Sequence, residues 1–238
     1  MNEPPKQRWG YLQWGCFTSV LLVFLMPLLV FFAARLFVLD IERGSKIRAV
    51  GNCRQIILCL EQYAIDHESR YPDGQAGEFR SSNHVFREVY RDEIAMDERI
   101  FGCPASPFNP DNEMGRPPKL EKTLEPGECH WMLLRSQTAK VHPKTPIVIE
   151  NALGTSWPPM WEYQRWFGKT LHKRGRSWHG REIIIGRNDG SVAIEKLRSD
   201  GTLDWHSAPN LDEHGKSWID SLTPEQIAKL EYWDIEEK

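Results

Sequence analysis

An uncharged apolar run, Cys16 to Ala34, opens the readable pattern of this chain. Its nineteen residues, CFTSVLLVFLMPLLVFFAA, span roughly 29 Å as a helix, close to the ~30 Å hydrocarbon core of a bilayer. Arg35 interrupts the run and Leu36-Phe37-Val38-Leu39 resumes it, so the guanidinium can snorkel to the interface. Tyr11 and Trp14 stand at the other end as interfacial aromatics, and Pro27 falls where membrane helices tolerate a kink. A cleaved signal peptide is the competing reading. The run exceeds the ~7–15 residues of an h-region, and no small-x-small site follows Val38.

From Ser45 the pattern changes to an amphipathic one. Ile47, Val50, Cys53, Ile57, Leu60 and Ala64 recur at helical spacing, with Arg48, Asn52, Gln55, Gln62 and Asp66 on the other side. Gly44 and Gly51 lower helix propensity and mark a hinge. Tyr71-Pro72-Asp73-Gly74 supplies the stop. A second, shorter helix is predicted over 82–98, with Ser82 or Asn83 as cap. Asn109 to Gly127 reads as a long loop, and 157–173 as irregular cover. Cys129–Leu134 and Ile147–Glu150 are strand candidates. The clearest β signal is Arg181–Gly186, the turn Arg187-Asn188-Asp189-Gly190, then Ser191–Leu197. Thr223-Pro224-Glu225-Gln226 predicts a capping box opening a last short helix.

Five segments follow: a cytoplasmic tail 1–13 (its start disordered), a membrane helix 14–39, an amphipathic spine 40–72, an α+β head 73–200, and a C-terminal extension 201–238. The expected fold class is α+β, a long N-terminal helix packed on a small antiparallel sheet that ends in the 181–197 hairpin.

Composition refines this. About two hundred residues remain beyond the first forty of 238, enough for one domain with a real core. The net charge of −3 argues against a broad nucleic-acid surface. Ten tryptophans suit a core leaning on aromatics. Trp157, Trp161, Trp166 and Trp178 either cover that core or line a groove for a peptide or glycan. Cys16 is a small apolar filler of the span. Cys53, Cys59, Cys103 and Cys129 form an even set without C-x-x-C spacing, against a zinc ribbon. Cys53 and Cys59 lie about 120° apart and about 9 Å along one helix, too far to bond each other. Cys53–Cys103 is the favoured disulfide, with Cys59 and Cys129 as a second pair and four free thiols as the alternative. Lys6 and Arg8 precede the span; Arg43, Lys46 and Arg48 follow it. That count favours a cytoplasmic C-terminal side, but long domains translocate largely regardless of charge. The cysteine set turns the expectation to a cytoplasmic N-terminus and an extracytoplasmic domain.

The segment Cys53-Arg54-Gln55-Ile56-Ile57-Leu58-Cys59-Leu60-Glu61-Gln62-Tyr63-Ala64-Ile65-Asp66, then Tyr71-Pro72, resembles the spine of bacterial type IV pilin-like and type II secretion pseudopilin-like proteins. The likeness rests on Gln55-Ile56, Leu58, Leu60, Tyr63, Asp66 and Tyr71-Pro72. Phe101-Gly102-Cys103-Pro104 is similar to the family's midway Cys-Pro segment, and Trp178-His179-Gly180 with Asp189-Gly190-Ser191-Val192 to its last hairpin. At the N-terminus only Gly15 and Phe17-Thr18 follow the prepilin pattern, and Val20 or Leu21 stands where the family has an acid. The resemblance implies a pilin-like fold and a single-pass protein of the bacterial inner membrane with a periplasmic head. Its partners would be the bilayer and other pilin-like subunits or inner-membrane secretion proteins, with no nucleic acid and no cofactor.

No H-E-x-x-H, G-x-S-x-G or P-loop occurs, so no catalytic residue is assigned. A Cys129/His179 nucleophile–base pair is the one hydrolase reading. Asp189, Asp200 and Asp204 are the calcium candidates, but a good site needs six to eight oxygens, and the Asp-Gly steps have a turn explanation. The expected role is a non-catalytic component of a secretion- or pilus-type assembly. A stand-alone anchored binding domain is the alternative, and a membrane-bound hydrolase a distant third.

Overall fold

A computed structural model describes residues 8–74, 79–117, 119–163 and 170–238, with side chains from Leu22 onward. The expected disordered start, the interfacial Tyr11 and Trp14 side chains, and Trp166 lie outside the described residues. The chain forms two compact units, 1–44 and 45–238. Helix α1, Arg8–Asp66, has its first part in one unit and its last in the other.

In the first unit the described part of α1 presents a run of apolar side chains to the outside. Leu22 to Phe32 contribute side chains between 42% and 73% exposed, among them Phe24, Leu29 and Val30. This is the one helix long and apolar enough to cross a membrane, among the described residues. Continuous exposure of such a run is unstable in water and suits a hydrocarbon surrounding.

In the second unit α1 buries Ala49, Cys53, Ile56, Ile57, Leu60, Tyr63 and Ala64. This arc is rotated from the one expected. Ile47 is 73% exposed and points away from the sheet, whereas Ala49, Ile56 and Tyr63 point in. At 100° per residue Ile47 lies opposite Ile56, so both cannot face the same layer. Asn52, expected in water, donates from Nδ2 to the carbonyls of Arg99 and Gly102 at 3.1 and 3.0 Å. α1 ends at Asp66, before the Tyr71-Pro72 stop, because Glu68 and Ser69 take left-handed backbone and the Ser69 N–H returns to the Ala64 carbonyl.

The sheet holds β1 Trp131–Leu134, β2 Pro146–Glu150, β3 Glu182–Arg187, β4 Val192–Lys196 and β5 Tyr232–Trp233. Neighbours run β4-β3-β2-β1-β5, all antiparallel. The expected hairpin is β3–β4, with Gly190 at φ 77° in its turn. The tail expected as an appendage supplies β5, which pairs Leu133 with Trp233 and Leu134 with Tyr232. The second helix, α2 Ser82–Arg91, is shorter than 82–98 and is capped by Ser81, whose side chain accepts the His84 N–H. Residues Glu98–Phe101 form a separate 3-10 turn. The last helix, α3 Pro224–Ala228, opens on the expected Thr223/Gln226 capping box.

β1 and β2 are buried along their whole length, so both sheet faces are covered. Gly186 of β3 lets α1 approach one face. A Cβ there would stand 2.8 Å from Cys53 Sγ and 3.0 Å from two Ile57 carbons. Gly186→Ala is expected to destabilise the full-length protein by about 1–3 kcal/mol in denaturant unfolding. Adding Cys53→Ala recovers part of the loss, because the sulfur is the nearest obstacle. Trp161 and Trp178 are buried, and Trp157 packs 4.6 Å from Trp205 and 5.2 Å from Trp218, so these tryptophans cover the core.

Candidate functional site

Three polar constellations stand out among the described residues of the second unit. The first is at the end of β2. The register sets Val148 opposite Gly186, so by the strand pleat Glu150 shares the sheet face that receives α1. Glu150 is fully buried. Its Oε1 accepts the Trp178 indole N–H at 2.7 Å and its Oε2 the Ile184 backbone N–H at 3.0 Å. His130 Nε2 lies 3.4 Å from Oε1. On the other side of the ring, Asn151 Nδ2 donates to Nδ1 at 2.8 Å, and the Ser106 hydroxyl lies 2.9 Å from it. Asn151 Oδ1 accepts the Gly175 N–H at 2.8 Å, which fixes the amide. Nδ1 is therefore the acceptor, and Nε2 carries the proton toward Glu150.

Cys103 completes a trio with His130 and Glu150, their ligand atoms within 4.8 Å of one another and all three residues buried. The spacing resembles a metal centre, but the Glu150 oxygens and both ring nitrogens already have protein partners. Burial, with the Glu150 charge adding to it, pushes the Cys103 thiol far up, so the thiolate that would bind metal or attack a substrate is suppressed. All four cysteines outside the span are free. The Cys53–Cys103 disulfide is not formed, nor is Cys59–Cys129: Cys53 faces Gly186, Cys103 faces His130 and Glu150, and Cys129 donates to the Trp131 carbonyl at 3.3 Å. The cysteine argument for an extracytoplasmic head loses its support with them. Burial holds the Cys129 thiol up at about 12, and its hydrogen bond goes to backbone rather than to His179.

The second constellation joins β3, β4 and the C-terminal segment. Arg187 Nη2 donates to Glu195 Oε1 and, at 2.8 Å, to Asn210 Oδ1, while Asn210 Nδ2 donates to Glu195 Oε2 at 2.7 Å. All three are buried.

The third is acidic. Glu98, Asp111 and Glu128 bring one oxygen each within 4.8 Å of one another. Glu98 and Glu128 are buried and Asp111 is exposed. Glu98 Oε1 accepts the Leu124 N–H, and Glu128 Oε2 the Glu125 N–H at 2.7 Å. Burial pushes Glu98 up to about 7, with the Glu128 and Asp111 charges adding to the rise. Glu128 is raised for the same first reason. A carboxyl raised on folding contributes stability that is complete below its unfolded value near 4.5 and lost as pH climbs through the folded value. With a chelator present, the melting temperature is therefore expected to fall between pH 5 and 8. Glu98→Gln flattens that fall in a pH series of thermal melts.

The sequence-predicted calcium residues are not brought into such a cluster, among the described residues. Asp189 accepts from Lys144 Nζ at 2.6 Å and from the Ser191 N–H at 3.0 Å. Asp200 accepts from the Thr202 N–H and hydroxyl, and Asp204 from the His206 N–H. Each closes its own turn. A groove of about 630 Å³ opens beside β5, where Arg135 lies 3.7 Å above the Trp233 ring, with Gln137, His142, Trp218 and Leu222 along its walls. No protein-family model, curated protein or solved structure matches the chain.

Proposed function

We propose that the chain is a non-catalytic, membrane-anchored pilin-like protein whose head is displayed beside a bacterial inner membrane as a component of a secretion- or pilus-type assembly. One observation carries this reading. A single helix runs from a segment whose apolar side chains are exposed from Leu22 to Phe32 into a segment that packs on an antiparallel sheet. The exposed apolar side chains of Leu22 to Phe32 and of Leu36 to Val38 match lipid, and the Ala49 to Ala64 face is the core side of the head. The raised, buried Cys103 and Cys129 thiols support a non-catalytic head. A second reading, a stand-alone anchored binding domain, draws on the groove beside β5.

Membrane fractionation tests the anchor. The full chain should resist alkaline carbonate extraction, and a variant lacking 16–39 should leave the membrane. Recovery of the full chain in the soluble fraction would sink the proposal. A photo-crosslinking residue at the exposed Leu58 position separates the two readings. Adducts to pilin-like subunits support assembly; a monomer with no adduct, still anchored, supports the stand-alone domain. N-terminal sequencing adds an independent check, since a methylated Cys16 requires prepilin processing.

A further inference from the structure

The acidic trio has an electrostatic problem that the protein does not solve with its own cations. Glu150 faces His130, and Glu195 is paired with Arg187. Glu98, Asp111 and Glu128 have no ion pair with lysine, arginine or histidine among the described residues. The nearby cations are engaged elsewhere: Arg99 with Asp97, Lys122 with Glu113, and Arg87 with the carbonyls of Thr123 and Leu124. Like charges this close, two of them out of water, repel strongly.

A second observation points to a ligand. Glu98 is completely buried, yet its Oε2 has no hydrogen-bond partner. The Asn112 backbone N–H favours the charged form of this carboxyl, but Oε2 has no hydrogen bond of its own. A buried, unmatched carboxylate oxygen is costly unless something positive reaches it. Asp111 is exposed, so the trio has an open side toward solvent.

We propose that Glu98, Asp111 and Glu128 form a binding site for a calcium-class divalent cation. Of the six carboxylate oxygens, Glu98 Oε1, Glu128 Oε2 and Asp111 Oδ1 already accept the backbone N–H groups of Leu124, Glu125 and Glu113, so the ion takes one remaining oxygen from each side chain, Glu98 Oε2 among them, and water entering past Asp111 completes the shell. Calcium–oxygen distances of about 2.3–2.6 Å place oxygens on opposite sides of the ion about 5 Å apart, which matches a trio held within 4.8 Å. The ligands come from three separate stretches: the 3-10 turn Glu98–Phe101, the long loop, and the residue immediately before Cys129 on the approach to β1. An ion there ties the 109–127 loop to the body of the head. This site is distinct from Asp189, Asp200 and Asp204, and it stands whether or not the head assembles with pilin-like subunits.

Calorimetric titration of the detergent-solubilised full chain with calcium chloride, after chelator treatment, tests it. One saturable site and a rise in melting temperature are expected, with a smaller rise from magnesium at equal concentration. Limited trypsin cleavage at the exposed Lys119 and Lys122 should slow with calcium. Asp111→Asn, at the exposed position, should weaken binding at least tenfold while the apo melting temperature holds; Glu98→Gln should abolish it. Asp200→Asn should bind like the parent. No heat and no melting shift in the parent overturns the site. So does binding unchanged in both Asp111→Asn and Glu98→Gln, or lost in Asp200→Asn. An equal or larger response to magnesium overturns the assignment to calcium.

Discussion

Glu195→Ala is expected to destabilise the head by about 3–5 kcal/mol, because it strands a guanidinium in the core. Arg187 is 1% exposed, and its Nη2 is held by Glu195 and Asn210. Its Nε already lacks a partner, so no spare acceptor waits to replace the carboxylate. Arg187→Met removes the charge that needs matching, but leaves Glu195 buried beside Asn210 alone. A double variant, Arg187→Met with Glu195→Met, removes both charges at similar volume and should be far less damaging than the two single losses summed. Equilibrium unfolding of the solubilised full chain, read as a double-mutant cycle, checks this. Equal additivity would show that the two side chains act separately and that water reaches Arg187. The pair also fastens the C-terminal segment to the hairpin through Asn210, so the single variants should expose residues 201–217 to hydrogen exchange before the rest of the sheet.

The same residue shows where the sequence was legible and where it was not. Arg187-Asn188-Asp189-Gly190 reads as a hairpin turn because Gly190 must take positive φ, and that holds. Nothing in the tetrad tells that its first member is a strand end turned inward. The strands at 131–134 and 146–150 and the Thr223/Gln226 cap were readable from short-range chemistry. β5 was not, since Tyr232-Trp233 is too short to show a period and owes its state to pairing with β1. Ile47 misled the helical wheel: its apolar character fits either a core face or an outward face, and only the position of the sheet decides. Cysteine spacing excluded one pairing along the helix but said nothing of which thiols meet in space. The acidic trio was invisible because Glu98, Asp111 and Glu128 are separated by loop, and burial of an acid leaves no local mark on the sequence.

Glu150→Gln is the sharper test of the core, because the change preserves shape and removes the charge together with the ability to accept at both ends. Three donors converge on this carboxylate: Trp178 Nε1 and His130 Nε2 toward Oε1, and the Ile184 N–H toward Oε2. A glutamine amide has one acceptor end. With its oxygen toward Trp178, its NH₂ meets the Ile184 N–H; flipped, the NH₂ meets both Trp178 and His130. His130 cannot relieve the conflict by changing tautomer, since its Nδ1 must accept from Asn151, whose amide is fixed by Gly175. Hydrogen bonds to a charged group are worth about 1.5–3 kcal/mol each, and a buried unmatched donor costs about 1–3 kcal/mol. Glu150→Gln should therefore destabilise the full chain by about 2–4 kcal/mol, and Glu150→Ala by more, because it leaves all three donors without an acceptor. A glutamine variant as stable as the parent would mean that the three donors do not need two accepting oxygens and that the His130 tautomer is the reverse of the one argued. Adding Asn151→Ala frees Nδ1, so Glu150→Gln should cost less in that background than in the parent, a coupling that denaturant unfolding of the four chains would measure directly.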